Sequence, residues 1–227
     1  MAANLLALDT ATDACSTAVW RADALVFERF VSAPRRHAEL ILPMLDEVLA
    51  EAGLSLDSID AIAFGRGPGS FTGLRIAAGI AQGIAFAADK PVLPISTLAA
   101  LAFDACRAEG VDQVAVALDA RMGEVYWGLY GVDPDTGVRL LGAEGVYAPA
   151  RVPTVAAGDW CGVGSGWAAH GVALAARCPV RRRWPDRQPR AGAVAALAAL
   201  AWARGEALSA EQALPVYLRD QVASPAH

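Results

Sequence analysis

Three groups of residues have types and spacings that could do chemistry. Asp9 closes an apolar run and is followed by Thr10 and Thr12, while Asp119 closes a second apolar run and is followed by Ala120-Arg121-Met122-Gly123. Carboxylates at the ends of two equivalent strands suit a metal–nucleotide held between the halves of a chain; the plainer role for each is to cap its own turn. Between them lies AFGRGPGSFTGLRIAAGIAQG, Ala63 to Gly83, a glycine-rich passage from an apolar strand into a helix. Such turns hold phosphate when their amides converge at a helix N-terminus. The register here fits no nucleotide motif. A Walker A loop would end in Gly-Lys-Ser/Thr, whereas this one runs Gly69-Ser70-Phe71-Thr72-Gly73 with no lysine. A dinucleotide G-x-G-x-x-G would need its third glycine at Ser70 or Thr72, and a G-x-S-x-G elbow fails because Ser70 lies between Gly69 and Phe71.

Two uses of the glycines remain. Gly67, Gly69 and Ser70 can offer donors to an anion at the helix N-terminus, with Asp9, Thr10, Thr12 and Asp119 completing a vestigial nucleotide site. Alternatively the glycines permit a tight turn and a close helix approach. A glycine inside a helix costs about 1 kcal/mol relative to alanine, so Gly79 and Gly83 need a packing or functional reason. They are four residues apart, as are Ala77, Ala81 and Ala85, while Ile76, Ile80 and Ile84 form a second ridge. A helix apolar on nearly every side is covered on two faces. One face lies on a sheet; the other needs a layer from this chain or from a partner.

Other chemistries are poorly served. The only histidines are His37, His170 and His227, none with a histidine at i+4, and no Ser–His–Asp or Cys–His set follows from the spacing. His37, behind Arg35 and Arg36, reads as a surface or interface residue. Cys15, Cys106, Cys161 and Cys178 are scattered, as free thiols of a reducing compartment are. No catalytic residue and no metal-ligand set is assigned. A net charge of −5 argues against a chain that coats nucleic acid by itself. The Arg181-Arg182-Arg183-Trp184 run, with Arg187 and Arg190, reads as a solvated loop or as an RNA contact. The most apolar run, Ile76 to Ala88, is too short to span a bilayer. With no basic n-region before Asp9, the chain is expected in the cytoplasm.

The elements that must position these residues can be read from periodicity. Strands are expected at Asn4–Leu8, Cys15–Trp20 and Leu25–Phe30, followed by a helix over His37–Glu51 with an apolar stripe of Leu40, Ile41, Met44, Leu45, Val48 and Leu49. Pro43 belongs in its first turn or else kinks it. A strand at Ile59–Phe64, a helix at Thr72–Ala88, a strand at Pro91–Ile95 and a helix from Ser96 or Thr97 to Glu109 complete a β-β-β-α-β-α-β-α order. After Gly110 the pattern restarts, with strands at Gln113–Leu118, Glu124–Tyr130 and Val138–Tyr147. Asp9 to Trp20 and Asp119 to Tyr130 have the same spacing, each closed by an aromatic, which argues for an internal duplication divided into 1–110 and 111–227. The remainder reads as a strand at Cys161–Val163, a helix at Trp167–Arg177, a connector at Cys178–Arg190, a helix at Ala191–Arg204 and an extended piece at Pro215–Leu218.

LALDTATDACSTAVW, RRHAELILPML, AFGRGPGSFTGLRIAAGIAQG, ISTLAAL, ALDARMGEVYW and PVYLRD occur in that order over nearly the whole chain. Together they resemble the TsaB family of tRNA threonylcarbamoyladenosine biosynthesis. The resemblance implies an α/β, actin-like (ribonuclease-H-type) fold of two related lobes, the C-terminal one abridged. It also implies a non-catalytic subunit that binds TsaD through its first two helices, with TsaE docking on the pair. The implied partner surface is Leu40, Ile41, Met44, Leu45 and Val48 with Ile76, Gly79, Ile80 and Gly83. ATP and magnesium would be used through partner subunits, tRNA met only through the complex, and no cofactor bound by this chain alone. A homodimer through the same helices stays open. So do an actin-like ATPase or kinase using Asp9 and Asp119 and, against the missing H-x-x-x-H, a peptidase.

Overall fold

The computed structural model describes residues 3–22 and 24–219. The first sheet contains β1 (Leu5–Asp9), β2 (Ala14–Arg21), β3 (Ala24–Ser32), β4 (Ala61–Gly67) and β5 (Val92–Ser96) in the order β3-β2-β1-β4-β5. β1 runs antiparallel to β2 and parallel to β4. The second sheet contains β6 (Gln113–Asp119), β7 (Val125–Asp133), β8 (Gly137–Leu140), β10 (Cys161–Val163) and β11 (Arg182–Trp184) in the order β11-β10-β6-β7-β8. The short β9 (Gly145–Tyr147) adds to β7. With β6 set against β1, β7 against β2, β8 against β3, β10 against β4 and β11 against β5, the two sheets have one topology. This is the ribonuclease-H-type lobe twice over.

Helices α1 (His37–Ala52), α2 (Phe71–Ala87) and α3 (Thr97–Glu109) follow β3, β4 and β5. Their second-lobe counterparts are α4 (Gly166–Arg177) after β10 and α5 (Ala191–Ala203) after β11. No helix stands where α1 would have its counterpart, between β8 and β10; β9 and a short 3-10 turn occupy that stretch. This is the abridgement. The expected third strand, Val138–Tyr147, is accordingly two strands broken near Gly142, whose φ is +108°.

The two closing helices exchange partners. α5 packs on β1 and β2 of the first sheet, whereas α3 packs on β6, β7 and β8 of the second. α5 is apolar all round, and Ala191, Val194, Ala195, Leu197 and Ala198 are all buried, as a helix between two layers requires. One core therefore runs from Leu5 and Ala7 through Leu98, Leu101 and Val194 to Val116 and Leu118. The pattern restarts at Gly110, but the packing crosses that line: α5 and Ala210 and Ala213 lie against the first lobe.

The α5 N-terminus is fixed by two side chains of the first sheet. Glu28 on β3, largely buried, accepts from the Gly192 amide at 2.8 Å and from the Arg190 guanidinium at 2.6 and 3.0 Å, while Ser16 Oγ accepts from Ala191 at 2.9 Å. A carboxylate at a helix N-terminus meets both free amides and the positive end of the dipole. Replacing Glu28 by alanine is expected to lower unfolding stability by about 1–3 kcal/mol, read as a fall in urea midpoint with an unchanged slope.

Two local expectations change. Pro43 lies in the second turn of α1 rather than the first, on its exposed face, and the helix continues through it without the bond a residue-43 amide would make to the Glu39 carbonyl. His37 is buried rather than superficial, its Nε2 3.2 Å from the Ala14 carbonyl. That contact pins the start of α1 to β2.

Candidate partner surface and interlobe cleft

α2 begins where the glycine-rich passage ends, and the passage is packed rather than open. The Ser70 amide donates to the Ala11 carbonyl at 2.7 Å, and the Thr10 hydroxyl donates to the Gly73 carbonyl at 2.7 Å. Ser70 caps α2 by accepting from the Gly73 amide at 3.4 Å. A Cβ at Gly69 or Gly73 would collide with the carbonyl oxygen of Ala11 or Thr10, and one at Gly65 with the Asp9 carboxylate. These glycines let the β4–α2 corner sit directly on the β1–β2 turn. Gly67, at φ +106°, lies against Leu74 and the Val216 carbonyl, each 2.8 Å from where a Cβ would be.

That packing seals Asp9 in. Its side chain is fully buried; Oδ1 accepts from the Ala11 amide at 2.9 Å, and Oδ2 has no partner among the described residues. Thr97 Oγ1, across the same Gly65 gap, is also unpartnered. Burial pushes the Asp9 carboxyl up to about 6, partly opposed by the Ala11 hydrogen bond. The same burial, with the Asp9 charge second, raises the Cys15 thiol to about 11. Cys106 and Cys178 are likewise raised, chiefly by burial, to about 11 and about 12, so none of the three is an activated nucleophile.

A cleft of about 650 Å³ separates the lobes. Of the seven residues of the expected nucleotide site, Thr12, Gly69, Ser70 and Asp119 line it, while Asp9, Thr10 and Gly67 do not. The expectation that Asp9 and Asp119 face one cleft is therefore corrected: Gly65 has no side chain, and the Asp9 carboxylate fills that space instead of the cleft. Asp119 caps its own turn by accepting from the Arg121 amide at 2.9 Å and also meets the Arg121 guanidinium at 3.6 Å. Among the described residues no cluster of histidine, cysteine and carboxylate side chains fits a metal ion.

The cleft also has walls that the motifs did not announce. Residues 214–219 leave the first lobe and cross it. The Val216 amide donates to the Arg66 carbonyl at 2.8 Å, Tyr217 packs on Phe71 with ring centroids 5.4 Å apart, and Arg219 pairs with Glu124 of the second lobe. PVYLRD carries this segment, but as six residues without periodicity it gave no sign of where it lies.

The helix pair divides into a core face and an outer face. Ile41, Met44, Leu45 and Val48 are buried against β2 and the rest of the first core, so this stripe is the chain's own core face and not an exposed one. Ala77, Ala81 and Ala85 are the matching buried face of α2. Outward lie Gly79 and Gly83, both exposed and with nothing within 4 Å of an added Cβ. Leu40, Ile76, Ile80 and Ile84 are half-buried along the seam, Leu42 is 50% exposed and Phe86 is 74% exposed. The result is a flat backbone strip edged by apolar side chains, the shape against which another helix can approach closely.

The arginine connector is mostly spent within the chain. Arg181 pairs with Asp159, Arg187 with Asp104 and Glu109, and Arg190 with Glu28; Arg182 and Arg183, on the edge strand β11, have no carboxylate partner among the described residues.

The sequence and the fold have close counterparts. The TsaD family model (tRNA N6-adenosine threonylcarbamoyltransferase) matches residues 31–156. The tRNA threonylcarbamoyladenosine biosynthesis protein TsaB of Escherichia coli K12 is 42% identical over 97% of this chain and 96% of its own length. The chain belongs to the TsaB family. TsaB of Haemophilus influenzae Rd is 41% identical over 96% of this chain and 94% of its own. The structure of YeaZ from Pseudomonas aeruginosa superposes with a TM-score of 0.87 at 49% identity, covering 95% of this chain and all of that one. No helix among the described residues is long and apolar enough to cross a membrane.

Proposed function

We propose that this TsaB-family chain is a non-catalytic subunit of a complex that adds threonylcarbamoyl to the adenosine next to the tRNA anticodon. It binds TsaD through the outer face of α1 and α2, and TsaE docks on the pair. The observation that carries the reading is the strip at Gly79 and Gly83: two exposed helix glycines cost stability in the isolated chain and are useful only when another backbone covers them. Leu40, Ile76 and Ile80 border that strip, whereas Ile41, Met44, Leu45 and Val48 act beneath it by holding α1 on the sheet. The sequence has no H-x-x-x-H with which to ligate a catalytic metal. ATP and magnesium enter through partner subunits, tRNA is met through the complex, and the work is done in the cytoplasm. With TsaD absent, the same strip can pair two copies of this chain.

Co-purification with TsaD and TsaE, followed by threonylcarbamoylation of a tRNA transcript with and without this chain, tests the reading. The expected result is a stable association and activity that depends on the added chain. Full activity of TsaD and TsaE without it would sink the proposal. The rival ATPase reading predicts tight Mg–ATP binding by the chain alone, lost on Asp9→Ala; the sealed carboxylate speaks against it.

A further inference from the structure

A second cavity, of about 530 Å³, is lined by residues of both lobes and shares none with the cleft or the helix strip. Arg66 of β4 lines it from the first lobe. This guanidinium is half-buried, has no carboxylate within ion-pair distance among the described residues, and has a buried Nε with no hydrogen-bond partner. Two arginines with half-buried side chains, Arg187 and Arg219, each meet an acidic side chain, whereas Arg177 spends its Nε–H on the Val152 carbonyl. From the second lobe comes Glu144, whose Oε1 accepts from both the Ser96 and Tyr130 hydroxyls. Burial, with the Glu144 charge second, holds the Tyr130 phenol far above its ordinary range, so it remains a donor. Arg204, also in the lining, is already ion-paired with Glu206 and bonded to the Asp135 carbonyl at 2.9 Å. The floor is apolar, formed by Pro94, Val138, Leu140 and Leu197.

The cavity therefore holds, from opposite lobes, a cation without an ion-pair partner among the described residues and an anion held by two hydroxyls, both near the Tyr130 phenol, with apolar residues in the same lining. A simple anion would meet Glu144, and a simple cation would meet Arg66; a molecule carrying both charges satisfies both. We propose that this cavity binds a small zwitterion, an α-amino acid with a short apolar side chain, its carboxylate on Arg66, its ammonium on Glu144 and its side chain on the Pro94–Leu197 floor. Because the two ends belong to different lobes, the ligand ties the lobes together. The site is independent of the helix strip and of the role proposed for it.

The test is a titration of the full chain with L-valine, followed through the Arg66 side-chain Nε–Hε signal by nuclear magnetic resonance, with acetate and methylammonium as single-charge controls. L-Valine is expected to give a saturable shift at lower concentration than either control. Glu144→Gln, and Arg66→Gln followed instead through the Tyr130 and Glu144 backbone amides, are each expected to weaken L-valine binding at least tenfold. Glu144→Gln keeps an acceptor for Ser96 and Tyr130, and an unchanged thermal midpoint shows that its loss is not one of folding. No saturable shift with L-valine, or acetate and L-valine binding equally and unaffected by Glu144→Gln, overturns the proposal.

Discussion

Replacing Gly73 by alanine is expected to destabilise the chain by about 3 kcal/mol or more, and replacing Gly79 by alanine to stabilise it by about 1 kcal/mol. The two residues share a helix and differ only in surroundings. A Cβ at Gly73 runs into the Thr10 carbonyl, and that backbone is held in place by the Thr10 hydroxyl bond back to Gly73 and by the Ser70–Ala11 bond beside it. Main chain tied from both sides cannot yield as a side-chain tip does. At Gly79 nothing lies within 4 Å, so alanine only removes conformational freedom from the unfolded chain and restores helix propensity. Urea unfolding of the two variants measures both effects. Equal and small effects would mean that the β4–α2 corner does not rest on the β1–β2 turn as described.

Asp9 is expected to give the chain a stability that falls with rising pH. Its folded value of about 6 lies above the usual 3.8 because the ionised form is buried without a counter-charge. Below about pH 3 the carboxyl is neutral in both states and costs nothing. Between about 4 and 6 the unfolded chain loses the proton first, so stability declines; above about 7 the full difference, on the order of 3 kcal/mol, is felt. Asp9→Asn keeps an acceptor for the Ala11 amide and carries no charge. It should raise stability at pH 8 by roughly 2 kcal/mol and flatten the profile between pH 4 and 7. Loss of stability at pH 8 on this substitution would show that the carboxylate is engaged by a cation, as a working nucleotide site would require.

Much of the fold was legible because it rests on local signals. The β-β-β-α order, the cap at Ser96 and the restart after Gly110 are matters of periodicity and turn chemistry, whereas the cap at Ser70 was hidden in the glycine-rich passage. The equal spacing after Asp9 and Asp119 foretold the matching β1–β2 and β6–β7 hairpins. The exchange of α3 and α5 between the sheets was not legible, since an alanine-rich helix with no polar face carries no direction. Nor was the fate of the α1 stripe: periodicity shows that Ile41, Met44, Leu45 and Val48 share a face, but only packing shows that β2 covers it. At Asp9 an apolar strand ending in a carboxylate looks the same whether that carboxylate faces a cleft or a glycine. Gly65 decided it, from 56 residues away in sequence, and a single chain offers no spacing rule that would link the two.

The central claim is that the outer strip of α2 is where TsaD sits. Because Gly79 and Gly83 have open space above them, leucine at both positions leaves the lobe folded while filling the approach of another helix. Calorimetric titration of TsaD with the wild-type chain and with the Gly79→Leu, Gly83→Leu variant, alongside their thermal midpoints, is the most direct test. The account predicts an affinity at least 100-fold weaker with a midpoint no lower than wild type. Unchanged affinity in a folded double variant would contradict it.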